Sequence, residues 1–129
     1  MTITSFSRRR LGRLALCLSL FGLACAASSP GAALEKYMRT IDAGESGKAV
    51  AMFPKSMQSQ YGSKLGMMVA EQIERTKKMG GVKAVDVVSE DVTGDIAAVT
   101  FATHYGNGKV DTSSTKMLRE DNEWKINPQ

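Results

Sequence analysis

Cysteine is scarce in this chain of 129 residues, and it is confined to the N-terminal part. The two cysteines are Cys17 and Cys25, and no cysteine follows residue 25. A disulfide or a thiolate metal site within residues 26–129 is therefore excluded. Aromatic residues are also few, at 6% of the chain. The part after Cys25 must be stabilised mainly by the packing of aliphatic side chains and methionines.

The chain also has no excess of basic residues beyond its N-terminal arginines. Its formal net charge is +4, and four of its 17 basic residues are the arginines at positions 8, 9, 10 and 13, whereas no acidic residue precedes Glu35. Removing those four leaves 13 basic residues, which equals the number of acidic residues. Because binding along a phosphate backbone needs an excess of Lys and Arg, nucleic acid is not an expected partner.

No apolar run is long enough for a retained membrane span. The chain is uncharged from residue 14 to residue 34, but it is strongly apolar only to about Ala27, and Ser-Ser-Pro-Gly follows at residues 28–31. A spanning helix needs roughly 20 predominantly apolar residues. The basic start, the short apolar run and the small residues after it instead predict an export signal. We assign residues 1–24 to a signal peptide, 25–33 to a flexible tether and 34–129 to the folded domain.

Cys25 lies where the apolar run ends, and its position predicts a lipid attachment site. Residues 22–25 read Gly-Leu-Ala-Cys, a pattern of small and aliphatic residues before a cysteine, although Gly22 stands where leucine is usual. This predicts a lipoprotein that carries acyl groups such as palmitate, and Ala26 favours retention in the outer membrane, facing the periplasm. The alternative is ordinary signal cleavage after the Ala-Cys-Ala at residues 24–26, which would give a soluble periplasmic or secreted protein. "SRRRLGR" leaves both the general secretory and the twin-arginine route open.

Beyond the tether, a helical pattern gives way to a strand pattern. Leu34, Tyr37, Met38 and Ile41 have the spacing of one apolar helix face. A longer helix is predicted over about residues 64–79, with an apolar face formed by Leu65, Met68, Val69, Ile73 and Thr76. After Gly81 the period changes to two, and "EDVTGD" at residues 90–95 predicts a turn. Residues 96–105 have small or apolar residues on both faces, typical of a central strand. This order predicts an α+β domain with N-terminal helices packed on a curved antiparallel sheet of about four strands.

Several stretches of this region resemble a known superfamily. They are "YMRTIDAGESGKAVAMF", "MGGVKAVDVVSEDVTGDIAAVTF", "YGNGK" and "MLREDNEWKI", which together span about residues 34–127. The chain resembles small bacterial lipoproteins of unknown function with a lumazine-binding-like domain of the nuclear-transport-factor-2-like (cystatin-like) superfamily. The resemblance implies a cone-shaped fold with a cavity between the helices and the sheet. Its motifs mark the fold rather than a reaction.

The candidate site residues follow from that cavity. We expect five side chains to line it: Tyr37, Met68, Phe101, Tyr105 and Trp124. No catalytic residue, cofactor site or metal site is predicted. His104 is the only histidine of the chain and has no second histidine or cysteine in the domain to share a metal. Packing or a hydrogen bond to a neighbouring strand is expected for it, and Asp86 is expected to face solvent.

These observations favour a non-catalytic binding or interaction domain of the bacterial cell envelope. Its expected partners are a small apolar ligand or another envelope protein, with the membrane reached through the lipid anchor. One alternative is an isomerase- or dehydratase-like enzyme that uses the same cavity, because the superfamily that the chain resembles includes ketosteroid isomerase. The other is a purely structural envelope protein.

Overall fold

The structure, a computed structural model, describes residues 28–129, so the predicted signal peptide, Cys17 and Cys25 lie outside the described residues. Four helices precede four strands. The helices are α1 (Pro30–Asp42), α2 (Ser46–Val50), α3 (Lys55–Tyr61) and α4 (Ser63–Lys78). The strands are β1 (Val82–Thr93), β2 (Ile96–Tyr105), β3 (Val110–Glu120) and β4 (Glu123–Ile126). Within this part of the chain, no helix has the length and apolarity that crossing a membrane requires.

Helix α1 begins at Pro30, so the last four residues assigned to the tether are helical instead. The Oγ atom of Ser29 accepts a hydrogen bond from the backbone N–H of Ala32 at 3.1 Å, which caps the helix. Proline is favourable at the first helical position because its missing N–H would have no partner there. The Ser-Pro sequence that interrupts the apolar run is therefore a helix start.

The strands form one antiparallel sheet in the order β1-β2-β3-β4. The predicted central strand is β2, which is hydrogen-bonded on both sides. The turn predicted over residues 90–95 is shorter than expected, since Val92 pairs with Ala97 and Thr93 pairs with Ile96. Only Gly94, with a φ of 60°, and Asp95 separate the two strands.

A register irregularity in β1 sets which of its side chains face the helices. Val87 pairs with Phe101 and Glu90 pairs with Val99, with a shift between Val87 and Ser89. Phe101 and Val99 are both buried on the helix side of β2. Glu90, three residues after Val87, therefore faces the helices as Val87 does, although strict alternation would place it on the opposite face.

The helices and one face of the sheet share a single core. It combines the apolar faces of α1 and α4 with the inward residues of β2, β3 and β4: Leu34, Tyr37, Met38, Ile41, Leu65, Val69, Ile73, Ala97, Val99, Phe101, Met117, Trp124 and Ile126. Within residues 28–129 no helix covers the opposite face of the sheet, where Ile96 and Val110 are exposed. The predicted α+β architecture is confirmed.

Candidate functional site

A cleft lies between the helices α1 and α4 and the inner face of β2 and β3. It has two lobes that meet at four shared side chains, those of Met38, Gln72, Arg75 and Phe101. One lobe has a volume of about 350 Å³ and is mostly apolar. The other has a volume of about 250 Å³ and is more polar.

The apolar lobe is built from the inward stripes of α1 and α4 and from the end of β4. Its walls are Leu34, Tyr37, Phe53, Met68, Val69, Thr115, Ile126 and Pro128, with Glu71 at the rim. Most of these apolar side chains also belong to the core, so the lobe is a continuation of the core that opens to solvent. Met68, which is 58% exposed, lies at that opening.

The polar lobe lies beside the last turns of α4. Its remaining walls are Thr76, Met79, Thr103, Tyr105, Asp111 and Ser113. Thr76 and Thr103 are buried, whereas Asp111 is exposed at the rim. Hydroxyl groups on both sides therefore give this lobe hydrogen-bonding capacity without a buried charge.

The side-chain amide of Gln72 is held in one orientation at the junction of the lobes. The Oη–H of Tyr37 donates a hydrogen bond to Gln72 Oε1 at 2.6 Å. The other end of the amide, Nε2, lies 4.0 Å from the Sδ atom of Met38, a weak acceptor. The Oε1 contact therefore fixes which end of the amide carries the N–H donors, and Gln72 lines both lobes.

Both tyrosines of the cleft remain protonated at neutral pH. Burial raises the pKa of Tyr37 to about 12. Burial, and then the charge of Asp111, raise the pKa of Tyr105, while Arg75 and a hydrogen bond with Thr103 act in the opposite direction. The two phenols are therefore neutral hydrogen-bonding groups and not phenolates.

Arg75 supplies a positive charge where the two lobes meet. It lies in the last turn of α4, where the negative end of the helix dipole favours a cation. Within residues 28–129, Arg39 pairs with Glu35 at 2.8 Å and Arg119 pairs with Asp95 at 2.9 Å, but Arg75 has no such partner. Its guanidinium group is therefore available at the cleft.

The structure brings four of the five predicted cavity residues together. Tyr37, Met68 and Phe101 line the apolar lobe, and Phe101 and Tyr105 line the polar lobe. Trp124 is not among the residues that line either lobe. It is only 8% exposed, and the guanidinium carbon of Arg119, its cross-strand partner, lies 5.4 Å from its ring centre. Its ring thus contacts the core and Arg119 rather than the cleft.

Two polar residues at the junction, Gln72 and Arg75, were not predicted from the sequence. They are three residues apart on α4 and flank the apolar stripe that includes Val69 and Thr76. A polar pair at this spacing beside an apolar stripe is the only signal that could have indicated them. The same pattern occurs on many solvated helix faces.

His104 and Asp86 form a pair away from the cleft. His104 Nε2 lies 2.7 Å from Asp86 Oδ2, on the sheet face opposite the helices. This is the hydrogen bond to a neighbouring strand that the sequence predicted. In the described part of the chain, no group of three or more His, Cys, Asp or Glu residues could hold a metal ion.

Comparisons with solved structures identify similar folds. One is a crystal structure of an NTF2-like protein from Campylobacter jejuni, provisionally described as a transpeptidase, with a TM-score of 0.65 and 18% identity over 77% of this chain and 97% of that one. Another is the solution structure of a SEC-C motif containing protein from Rhodopseudomonas palustris, with a TM-score of 0.59 and 12% identity over 78% of this chain and 76% of that one. At these identities the likeness shows the fold alone.

No curated protein matches the chain. A family match does cover most of it: residues 23–127 match the family described as domain of unknown function (DUF4878). The match includes all four helices and all four strands. The chain therefore belongs to the DUF4878 family, a domain of unknown function, and its fold is similar to that of an NTF2-like protein.

Proposed function

We propose that this domain is a binding module that holds a small, largely apolar molecule in the cleft between α4 and the inner face of the sheet. The observation that carries this proposal is the apolar lobe of about 350 Å³, which is continuous with the core but is not filled by it. Ligand sites are typically concave, mostly apolar and provided with a few fixed polar groups. Tyr37 and Gln72 are such groups here.

A neutral fluorescent probe, N-phenylnaphthylamine, tests the proposal because its emission rises when it leaves water for an apolar site. Thr115→Phe places a ring in the apolar lobe from β3 and should reduce probe binding at least about fivefold, because overfilling a site excludes its ligand. Thr112→Phe is the matched control. Thr112 is exposed on the opposite face of the same strand, where it pairs with Ala102.

The proposal predicts that the wild-type protein and Thr112→Phe bind the probe alike, and that a molecule co-purifying with the wild type is lost in Thr115→Phe. Equal binding by all three proteins would mean that the probe binds outside the cleft, and would contradict the proposal. Absence of binding by the wild type would overturn the proposal. Thermal unfolding of each variant checks that the fold is retained.

We further propose that the chain is exported and anchored to the outer membrane through Cys25, facing the periplasm. The sequence pattern before Cys25 supports this, as does the absence of cysteine from the domain. Only residues 26–29 separate Cys25 from the start of α1. Four residues reach at most about 14 Å, so a lipid on Cys25 would hold the domain close to the membrane surface.

Metabolic labelling with palmitate tests the anchor. The wild type and Cys17→Ala should take up label and fractionate with the outer membrane, whereas Cys25→Ala should do neither. Label retained by Cys25→Ala, or absent from the wild type, would contradict the anchor and favour a soluble periplasmic or secreted protein.

A further inference from the structure

From the arrangement at the junction of the two lobes, we infer that the ligand carries one carboxylate, bound by Arg75 and Gln72, while its apolar part occupies the apolar lobe. This inference rests on the proposed binding function and names the chemical class of the ligand. It predicts an amphipathic monocarboxylic acid rather than a neutral or cationic molecule.

Gln72 offers its amide N–H groups more readily than its carbonyl oxygen at this point. Its Oε1 atom already accepts a hydrogen bond from the Tyr37 hydroxyl at 2.6 Å, while Nε2 has only the Met38 thioether, 4.0 Å away. An amide N–H that faces a partly buried cleft gains most from a carbonyl or carboxylate oxygen. The core contacts of Tyr37 therefore determine which chemistry Gln72 offers to a ligand.

Arg75 adds a second donor group one helical turn further along α4. Residues three apart lie on the same face of a helix, and both side chains border both lobes. A guanidinium group binds a carboxylate through two parallel hydrogen bonds. Arg75 has no ion-pair partner in residues 28–129, so a ligand carboxylate would not have to displace an acidic side chain from it.

The acidic residues of the cleft limit the ligand to one negative charge. Glu71 lines the apolar lobe and Asp111 lines the polar lobe, and both are exposed at the rim. A second acidic group at either end of the ligand would lie near one of these carboxylates and be repelled. The apolar lobe of about 350 Å³ suits a medium-length aliphatic or a compact aromatic body.

The test compares decanoate, decanol and the dicarboxylate sebacate, titrated into the purified protein by calorimetry. Decanoate should bind at least about tenfold more tightly than decanol, because a charge-assisted pair of hydrogen bonds is stronger than a neutral one. Sebacate should bind more weakly than decanoate. Arg75→Gln should remove the preference, so that this variant binds decanoate no more tightly than it binds decanol.

Arg39→Gln is the matched control, because Arg39 is exposed on α1 and does not line the two lobes. It should bind decanoate as the wild type does, and Arg75→Lys should keep part of the preference. Equal binding of decanoate and decanol by the wild type would overturn the inference and leave the proposed binding function standing. Failure of every probe, N-phenylnaphthylamine included, would overturn both. An equal loss of decanoate binding in Arg39→Gln and Arg75→Gln would mean that decanoate is attracted non-specifically by positive charge. That result would also overturn the inference.

Discussion

At the scale of single residues, Tyr37 connects the core to the cleft. Its ring is in edge-to-face contact with Phe53, with centroids 5.6 Å apart and planes at 85°. Its hydroxyl group orients the amide of Gln72. The side chain is 5% exposed, so this hydrogen bond is shielded from water. Tyr37 thus packs in the core through its ring and orients a polar group at the junction of the lobes through its hydroxyl.

This position makes the stability of the protein sensitive to alkali. The pKa of Tyr37 is raised from 10.0 to about 12, so the folded state holds its proton more tightly than the unfolded state. That contribution is complete below pH 10 and is lost as the pH rises toward 12. The expected loss in the free energy of unfolding is about 2–3 kcal/mol. Urea unfolding at a series of alkaline pH values measures it.

Two tyrosine variants separate Tyr37 from the other groups that titrate in this range. Tyr37→Phe should lower stability at neutral pH by about 1 kcal/mol, through the lost hydrogen bond, and flatten the alkaline decline. Tyr61→Phe removes a hydroxyl that accepts from Gln129 near the chain end and should keep the decline. An alkaline decline in Tyr37→Phe as steep as in the wild type would assign it to other groups.

At the scale of secondary-structure elements, the first helix and the first strand are joined at the N-terminus of α1. The backbone N–H of Gly31 donates a hydrogen bond to the carboxylate of Glu90 on β1. A Cβ atom at position 31 would overlap that carboxylate and displace it, so glycine allows this close approach. The carboxylate also lies at the positive end of the helix dipole.

Replacing this carboxylate should loosen the attachment of α1 to the sheet. Glu90→Gln is expected to lower the free energy of unfolding by about 1 kcal/mol, because the amide loses the charge that favours the helix N-terminus. Asp91→Asn, the next residue on the opposite face of β1, should change it by less than about 0.5 kcal/mol. Chemical denaturation of both variants measures the two changes in the free energy of unfolding. Equal changes would mean that the overall charge of the strand, and not the contact with Gly31, affects stability.

The sequence pattern predicts an end of β1 before Glu90, whereas the strand continues to Thr93. Glu90 and Asp91 stand in a polar stretch before Gly94, and such a composition is typical of a turn. Glu90 nevertheless pairs with Val99 in the sheet, and its carboxylate meets Gly31, which is 59 residues away in the chain. Local patterns carry no information about a partner at that distance. Pro30 was misjudged in a similar way, as a break in an apolar run rather than a helix start.

At the scale of the whole molecule, periodicity was sufficient for the order of helices and strands and for the inward residues of α1 and β2. On α4 it was wrong for Met68, which is 58% exposed. The lining of the cleft depends instead on how far the helices stand from the sheet, which no local pattern encodes. Phe101 and Trp124 are both buried inward aromatic residues, yet only Phe101 reaches the cleft. Phe101 lies on the interior strand β2, whereas Trp124 lies on the edge strand β4, where the guanidinium group of Arg119 lies over its ring.

The shared core predicts that the helices and the sheet unfold together. Ile41 on α1 is fully buried, whereas Ile96 is 58% exposed on the sheet face opposite the helices. Ile41→Ala should lower the free energy of unfolding by about 2–5 kcal/mol, and Ile96→Ala by less than about 1 kcal/mol. In both variants the helical circular dichroism and the fluorescence of Trp124, the only tryptophan, should change at the same denaturant concentration. A Trp124 transition that follows loss of the helical signal would mean that the sheet is stable alone. The sheet has no second covered face in the described residues and no disulfide, so nothing found in that part of the chain would hold it once the helices leave.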